Sequence, residues 1–385
     1  MNGDMTQQST DSDPDNSPLS LEPLRGRDAW ISVTSVLIVT NLLVAGAMVL
    51  FGAGLWHSST VVQMAWGANF GPATKDGEWW RLGTAMFLHF GGLHLGMNML
   101  ALWDSGRMVE KVFGPVRFAL MYVASGLTGN LLSLIVQGDR AVSGGASGAI
   151  FGIYGAFLVF LLTERRRLHP GDFRWMFWGA AAFSLITLGL GFLIPGIDNA
   201  AHVGGLVAGA TAGFVLAPPS AAAGGARHRL KWPVAGAFLA GIAVLVANIP
   251  NPVYRWSEEQ LARGEIRQFI GEDARINARL NAILKGDRAS GVSFDQLAGR
   301  IETEVANSYD QSFEQLSALH IGREVPSAAT LEWLRHYAEI RRDASQALAE
   351  GIRTKNQQQI RDALNEARNA SRSARKNVAP VETKP

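Results

Sequence analysis

Cysteine is absent from the 385-residue chain, which excludes disulfides, thiolate metal sites and a cysteine nucleophile. Charge is missing in long blocks. Residues 29–74 contain no Asp, Glu, Lys or Arg, and 118–138, 141–163, 175–197, 199–226 and 232–254 are also charge-free. Uncharged, mostly apolar stretches of about 20 residues can cross a hydrocarbon layer of about 30 Å as helices, so a purely soluble enzyme is excluded. The mean hydropathy of +0.09 averages these blocks with a polar remainder, in which charge returns densely from residue 255. The net charge of +2 comes with no basic motif or stacking platform, so nucleic acid is not an expected partner.

Residues 1–24 are rich in Asp, Ser, Pro and Asn and carry no Lys or Arg. That composition predicts a disordered tail over 1–27 and is unlike an Arg-rich presequence. The apolar segment Ala29–Trp56 is too long for a signal-peptide core and is expected to be a first span. Further spans are expected near 91–111, 116–137, 147–163, 174–194, 200–217 and 233–249. Near their ends, one side collects Arg25, Arg27, Arg107, Lys111, Arg117, Arg165, Arg166, Arg167, Arg174, Arg227, Arg229 and Lys231, and the other only Lys75, Arg81 and Arg140. This bias predicts a cytoplasmic N-terminus. Seven spans then carry the C-terminal region to the extracytoplasmic side of what is expected to be a bacterial inner membrane.

That region, 256–378, reads as a helical domain. Phe294, Leu297, Ile301, Val305, Tyr309, Phe313 and Leu316 recur at intervals of three or four, after a capping box at Ser293 and Gln296. Ile266, Phe269, Ile270, Ile276, Leu280 and Ile283 form a second stripe, and Leu331, Leu334, Ala338, Leu348 and Ile352 a third. Such stripes face a core. His320 and His336 lack partners at metal-binding spacing and are expected to be surface or structural residues. The expected fold is all-α: a polytopic membrane bundle over 28–220, a linker and seventh span over 221–255, the helical domain over 256–378 and a disordered tail over 379–385.

Polar groups at membrane depth are costly, so each demands a partner or a function. His94 and Asn98 lie four residues apart, on one helical face. Gly144-Gly145-Ala146-Ser147-Gly148 puts a serine where a glycine-rich turn runs into a helix, and His202 lies in Asn199-Ala200-Ala201-His202-Val203-Gly204-Gly205. Serine and histidine with extra donors are the minimum set for acyl transfer. Ser147 would be the nucleophile and His202 the base, with the Ser147 N–H, His94 and Asn98 stabilising the oxyanion. Phe151, one turn after the serine, could pack on the imidazole. Gly205, Gly209 and Gly213 lie within about 60° of His202 on a wheel of 3.6 residues per turn, and small residues let membrane helices approach closely. A second small stripe, Gly148, Gly152 and Ala156, is expected to face a different neighbour.

These residues carry a resemblance to the rhomboid intramembrane serine proteases over roughly 76–217. Glu78-Trp79-Trp80-Arg81 resembles the family's first-loop signature. His89, His94 and Asn98 resemble its second-span pattern, and Glu110 before Gly114 resembles its structural carboxylate. Gly145-Ala146-Ser147-Gly148 and Ala201-His202-Val203-Gly204-Gly205 resemble the segments holding nucleophile and base. The resemblance implies six core helices, a Ser147–His202 dyad without a third acid, no cofactor, and transmembrane protein substrates within the lipid bilayer. Phe151 stands where Tyr is frequent in the family. Asp198 is expected to start a helix rather than complete a triad. The alternative is an inactive rhomboid-like protein that binds client transmembrane helices. The C-terminal domain is open to recruiting substrates, binding a protein partner or serving as a solubilising appendage.

Overall fold

The computed structural model describes residues 32–217, 224–286 and 291–378. The tails expected over 1–27 and 379–385, with Arg25 and Arg27, lie outside them. The chain divides into two compact units, Met1–Pro252 and Val253–Pro385.

Seven apolar helices build the first unit: α1 (Val33–Leu50), α2 (Gly92–Phe113), α3 (Pro115–Gln137), α4 (Ser147–Thr163), α5 (Pro170–Leu193), α6 (Asn199–Leu216) and α7 (Gly224–Ala247). Their starts follow local chemistry. The Ser32 hydroxyl caps α1, Pro115 and Pro170 occupy the first turns of α3 and α5, and the Asp198 carboxylate caps α6. The first span ends at Leu50 rather than continuing to Trp56, because the chain turns at Gly52 with φ +100°. α2 contains a π-turn at Leu102–Gly106.

Among the described residues, five helices are long and apolar enough to cross a membrane: α1, α3, α5, α6 and the Arg229–Ala247 part of α7. A sixth is reached if Arg81–Phe87 and α2, which meet at 90°, form one bent span. α4 is shorter, at 17 residues. It is the innermost helix, with every residue from Gly148 to Phe157 buried, and it therefore needs little lipid-facing length.

One expectation about packing is only half met. Gly148, Gly152 and Ala156 line the seam with the glycines of α6, although Gly152 also faces Ser125 of α3. A methyl group on Gly205 would lie 1.9 Å from the Gly148 carbonyl oxygen, one on Gly209 1.9 Å from that of Gly152, and one on Gly213 2.6 Å from Ala156 Cα. The pairing advances one turn on both helices at each step, so α4 and α6 run parallel, with α6 beginning about one turn before α4. Ser147 lies off this seam on the helical wheel, but side chains lean toward the helix N-terminus, which lets the first residue of α4 reach past its own helix end. α3 completes the close packing: a methyl on Gly152 would meet Ser125 Cβ at 2.1 Å, and one on Gly129 would meet the Ala201 carbonyl at 2.6 Å.

The segment between α1 and α2 has little regular structure, and side chains bonding to backbone hold it in shape. Arg81 Nη1 donates to the Met64 and Ala68 carbonyls at 2.8 and 3.1 Å, and Gln63 Nε2 to the His89 carbonyl at 2.7 Å. Its β1 (Asn69–Phe70) pairs antiparallel with β2 (Val142–Ser143), just before the Ser147 turn.

The second unit contains α8 (Trp256–Gly286), α9 (Phe294–Ile301 continuing through a π-turn at Glu302–Ala306 into Asn307–Ala318), α10 (Ala328–Arg353) and α11 (Gln357–Val378). The capping box at Ser293 and Gln296 forms as read. Ile266, Phe269, Ile276, Ile283, Ile301, Val305, Leu316, Leu331, Leu334, Leu348 and Ile352 are buried in one core. Phe294 departs from the stripe: it is 55% exposed and lies beneath the Lys355 ammonium at 5.3 Å. His320 and His336 are exposed. Polar side chains also cross the core. The Asp273 carboxylate accepts the Tyr309 and Tyr337 hydroxyls at 2.8 and 2.9 Å, and Arg341 donates to Asn277 Oδ1 at 2.6 Å and Ser371 Oγ at 3.0 Å. Burial pushes both phenols above their ordinary range, and the Asp273 charge acts in the same sense, so both stay protonated and keep donating.

Overpacking at a glycine seam costs about 1–3 kcal/mol or more. Gly209→Ala is therefore expected to lower the thermal unfolding midpoint of the detergent-solubilised protein, or its accumulation in membranes. Gly236→Ala, at a position with nothing within 4 Å, should leave both unchanged. Equal behaviour of the two variants would contradict the α4–α6 contact.

Candidate active site

The site forms where α4 and α6 begin. Ser147 is the first residue of α4 and follows a turn whose Gly145 has φ +143°, backbone that a residue with a side chain rarely adopts. Space imposes the same demand. A methyl on Gly145 would lie 2.9 Å from His94 Cε1, 3.0 Å from His94 Nε2 and 3.8 Å from Ser147 Oγ, so the imidazole of α2 packs directly over the turn carrying the serine. The turn is anchored by the Gly145 N–H donating to the Ala85 carbonyl at 2.8 Å.

His202, one turn into α6, is only 4% exposed. Its Nε2 lies 2.9 Å from Ser147 Oγ. Phe151 stacks on the imidazole, with ring centroids 4.2 Å apart and planes 5° from parallel. Among the described residues, His202 Nδ1 has no hydrogen-bond partner, and both Asp198 carboxylate oxygens are engaged elsewhere. Oδ1 accepts the Ala201 N–H at 3.0 Å, and Oδ2 accepts the hydroxyls of Ser133 and Ser143. The arrangement suits a hydroxyl donating its proton to an unprotonated ring nitrogen, the first step of nucleophilic attack. Among the described residues, no carboxylate bonds to the imidazole.

The other sequence-predicted residues divide in two. His94 meets the Ser147 turn, and His89 packs edge-on to it at 5.1 Å. Asn98 is buried and donates through Nδ2 to the His94 carbonyl at 2.9 Å, so one amide N–H is committed to its own helix. Glu78, Arg81 and Glu110 are structural. Arg81 Nε pairs with Glu78 Oε2 at 2.5 Å while its other nitrogen holds the loop carbonyls. Glu110 reaches from α2 to the start of α1 and accepts the Val33 N–H at 2.7 Å, the Thr34 N–H at 2.9 Å and the Thr34 hydroxyl at 2.7 Å. That carboxylate serves as a second N-cap for α1. Sequence reading missed Ser133, Ser143 and Asn130. Asn130 donates to the Leu82 carbonyl at 2.7 Å, and its own carbonyl accepts from Asn69. A polar residue inside a charge-free block was the available signal, but a single sequence does not pair such residues. Among the described residues, no group of three or more His, Asp or Glu could hold a metal ion.

Fold and site together define a class: polytopic helical membrane proteins in which a serine and a histidine meet at the starts of two parallel, glycine-packed helices. The Rhomboid domain family model matches residues 76–219. Rhomboid protease GluP of Bacillus subtilis is 37% identical over 214 residues, which cover 54% of this chain and 41% of GluP. YdcA, a rhomboid protein of the same bacterium, is 34% identical over 161 residues, covering 42% of this chain and 75% of YdcA. Rhomboid protease AarA of Providencia stuartii is 29% identical over 265 residues, covering 63% of this chain and 89% of AarA. The chain belongs to the rhomboid family. It spans less than half the length of several curated relatives, GluP among them.

Removing the Glu110 carboxylate leaves three donors without their acceptor, at about 1–3 kcal/mol for a buried group. Glu110→Ala is expected to lower the thermal midpoint of the solubilised protein, with Glu110→Gln intermediate because an amide oxygen still accepts. An unchanged midpoint for Glu110→Ala would exclude this role.

Proposed function

We propose that the protein is an intramembrane serine endopeptidase that cleaves transmembrane segments of other membrane proteins through a Ser147–His202 dyad. The observation that carries this reading is the 2.9 Å contact between His202 Nε2 and Ser147 Oγ at the start of a helix enclosed by the bundle. Ser147 Oγ attacks the scissile carbonyl as its proton passes to His202 Nε2. The imidazolium then protonates the leaving amine, and the acyl group remains on the serine. A water, deprotonated by His202, hydrolyses that ester and restores the hydroxyl. The developing oxyanion requires fixed donors. The Ser147 N–H at a helix N-terminus, His94, and the second N–H of the Asn98 amide are the candidates.

The length of α4 supports chemistry below the membrane surface. Seventeen residues at 1.5 Å per residue give about 25 Å, less than the hydrocarbon thickness of about 30 Å. A substrate helix hides its carbonyls in its own hydrogen bonds, so segments containing helix-weakening residues are the expected substrates. The charge bias supports a cytoplasmic N-terminus, an extracytoplasmic C-terminal unit, and a dyad near the extracytoplasmic face of a bacterial inner membrane. The C-terminal unit would then be available to recruit substrates or bind a protein partner outside the cytoplasm.

Ser147→Ala and His202→Ala are each expected to abolish cleavage of a single-span model substrate while the protein still accumulates in membranes. Asn98→Ala should slow turnover by about 10²- to 10³-fold, the loss expected for one oxyanion donor. A fluorophosphonate probe should label wild type but not Ser147→Ala. Product from either dyad variant would refute the mechanism, and an unlabelled wild type would favour an inactive client-binding protein. A reporter active only in the cytoplasm, fused after residue 260, should be silent; activity there would reverse the orientation.

A further inference from the structure

Asp198 is neither nucleophile nor base, yet three elements converge on its carboxylate. Oδ1 caps α6 through the Ala201 N–H at 3.0 Å. Oδ2 accepts the Ser133 hydroxyl from α3 and, at 2.6 Å, the Ser143 hydroxyl from β2. Asp198 precedes His202 by four residues, and Ser143 precedes Ser147 by four. The segment leading into the base and the segment leading into the nucleophile are therefore tied together at one point. The anchor is broad: Ser143 also pairs with Asn69 of β1, and Asn69 Nδ2 donates to the Asn130 carbonyl of α3 at 2.9 Å.

We propose that Asp198 is a positioning residue that clamps the Ser147 turn to the start of the His202 helix and so sets the separation of the dyad. This inference rests on the serine endopeptidase reading above. Charge suits the position, because a carboxylate is favoured at a helix N-terminus and hydroxyls donate more strongly to an ion than to a neutral oxygen. It acts through geometry and not as a third acid: both carboxylate oxygens are occupied by other donors, and His202 Nδ1 has no partner among the described residues. A clamp of this kind matters because reacting groups misplaced by about 1 Å lose about 10² in rate.

The test uses the full chain in detergent and two readouts: the rate of Ser147 labelling by a fluorophosphonate, and kcat and KM on a single-span substrate. Asp198→Ala should slow labelling and kcat together by about 100-fold while leaving KM unchanged. Ser143→Ala, which spares the helix cap, should slow both by about tenfold, the loss expected for one hydrogen bond to a charged group. The double variant Asp198→Ala/Ser143→Ala should be no slower than Asp198→Ala, since the hydroxyl then has nothing to bond. Asp198→Asn should recover most of the rate, because an amide still caps the helix and still pairs with hydroxyls. Wild-type rates in Asp198→Ala or Ser143→Ala, independent effects in the double variant, or an Asp198→Asn as slow as Asp198→Ala would each overturn the clamp. If Asp198→Ala does not accumulate, Ser143→Ala decides alone. A wild type that the probe does not label would instead overturn the protease reading, and the clamp with it.

Discussion

The close approach of α4 and α6 is the constraint on which the rest of the first unit depends. Lipid tails are as apolar as leucine, so helices in a bilayer gain little from burying apolar side chains against each other and rely on packing and on bonds between polar groups. Packing improves as backbones draw together, and the Gly205–Gly148 and Gly209–Gly152 contacts leave no room for even a methyl group. That proximity is also what the proposed chemistry requires. Serine and histidine are short side chains on different helices, and they meet at 2.9 Å only because their backbones nearly touch. The seam is parallel, so both helix starts, and hence both residues, lie at one end of the bundle.

A second constraint is the cost of unsatisfied polar groups where water is scarce. The segment between α1 and α2 has only a two-residue pairing with β2 and short helical turns, so most of its backbone groups find no ladder. Arg81, Gln63, Thr84 and Asn130 supply the missing partners, each bonding to a main-chain carbonyl. Glu110 does the complementary work for the N–H groups at the start of α1 that have no acceptor within the helix. The second unit obeys different rules. It has only ordinary amphipathic stripes, and its one buried core draws on the hydrophobic effect of water. Among its internal polar groups, Asp273 accepts from both tyrosines, and Arg341 donates to Asn277, Ser371 and the Ala367 carbonyl.

Legibility in the sequence followed the range of the interactions. Charge-free blocks located the helices because span length is set by the bilayer. The stripes of 256–378 predicted its core because burial follows period. The residues of the proposed dyad were legible because Ser147 and His202 each sit in a short motif with a physical reason for its glycines. What escaped was pairing. The Gly148 stripe gave no sign of its partner, since the helical wheel fixes the direction of a face only relative to its own helix. Ser133 and Ser143 are single hydroxyls in apolar blocks, and only the tertiary fold brings both to Asp198. The end of α1 at Leu50 was obscured because the residues after it are as apolar as those before it.

A histidine that works as a base must be held in orientation without losing its basicity. In triads a carboxylate bonded to Nδ1 does both. Here the imidazole is held from its face: Phe151 lies parallel to it at 4.2 Å, and the glycine seam beneath fixes the helix that carries it. Stacking constrains the plane of the ring without placing a charge beside it. Such a solution fits a low-dielectric interior, where an added buried carboxylate would itself need several donors to be tolerated. Asp198, a carboxylate near the site, has those donors in Ser133, Ser143 and the Ala201 N–H, and it sits at the helix end rather than behind the ring. Orientation by stacking and separation by backbone contact are thus divided between different residues, and each is supplied by a group that the bilayer tolerates.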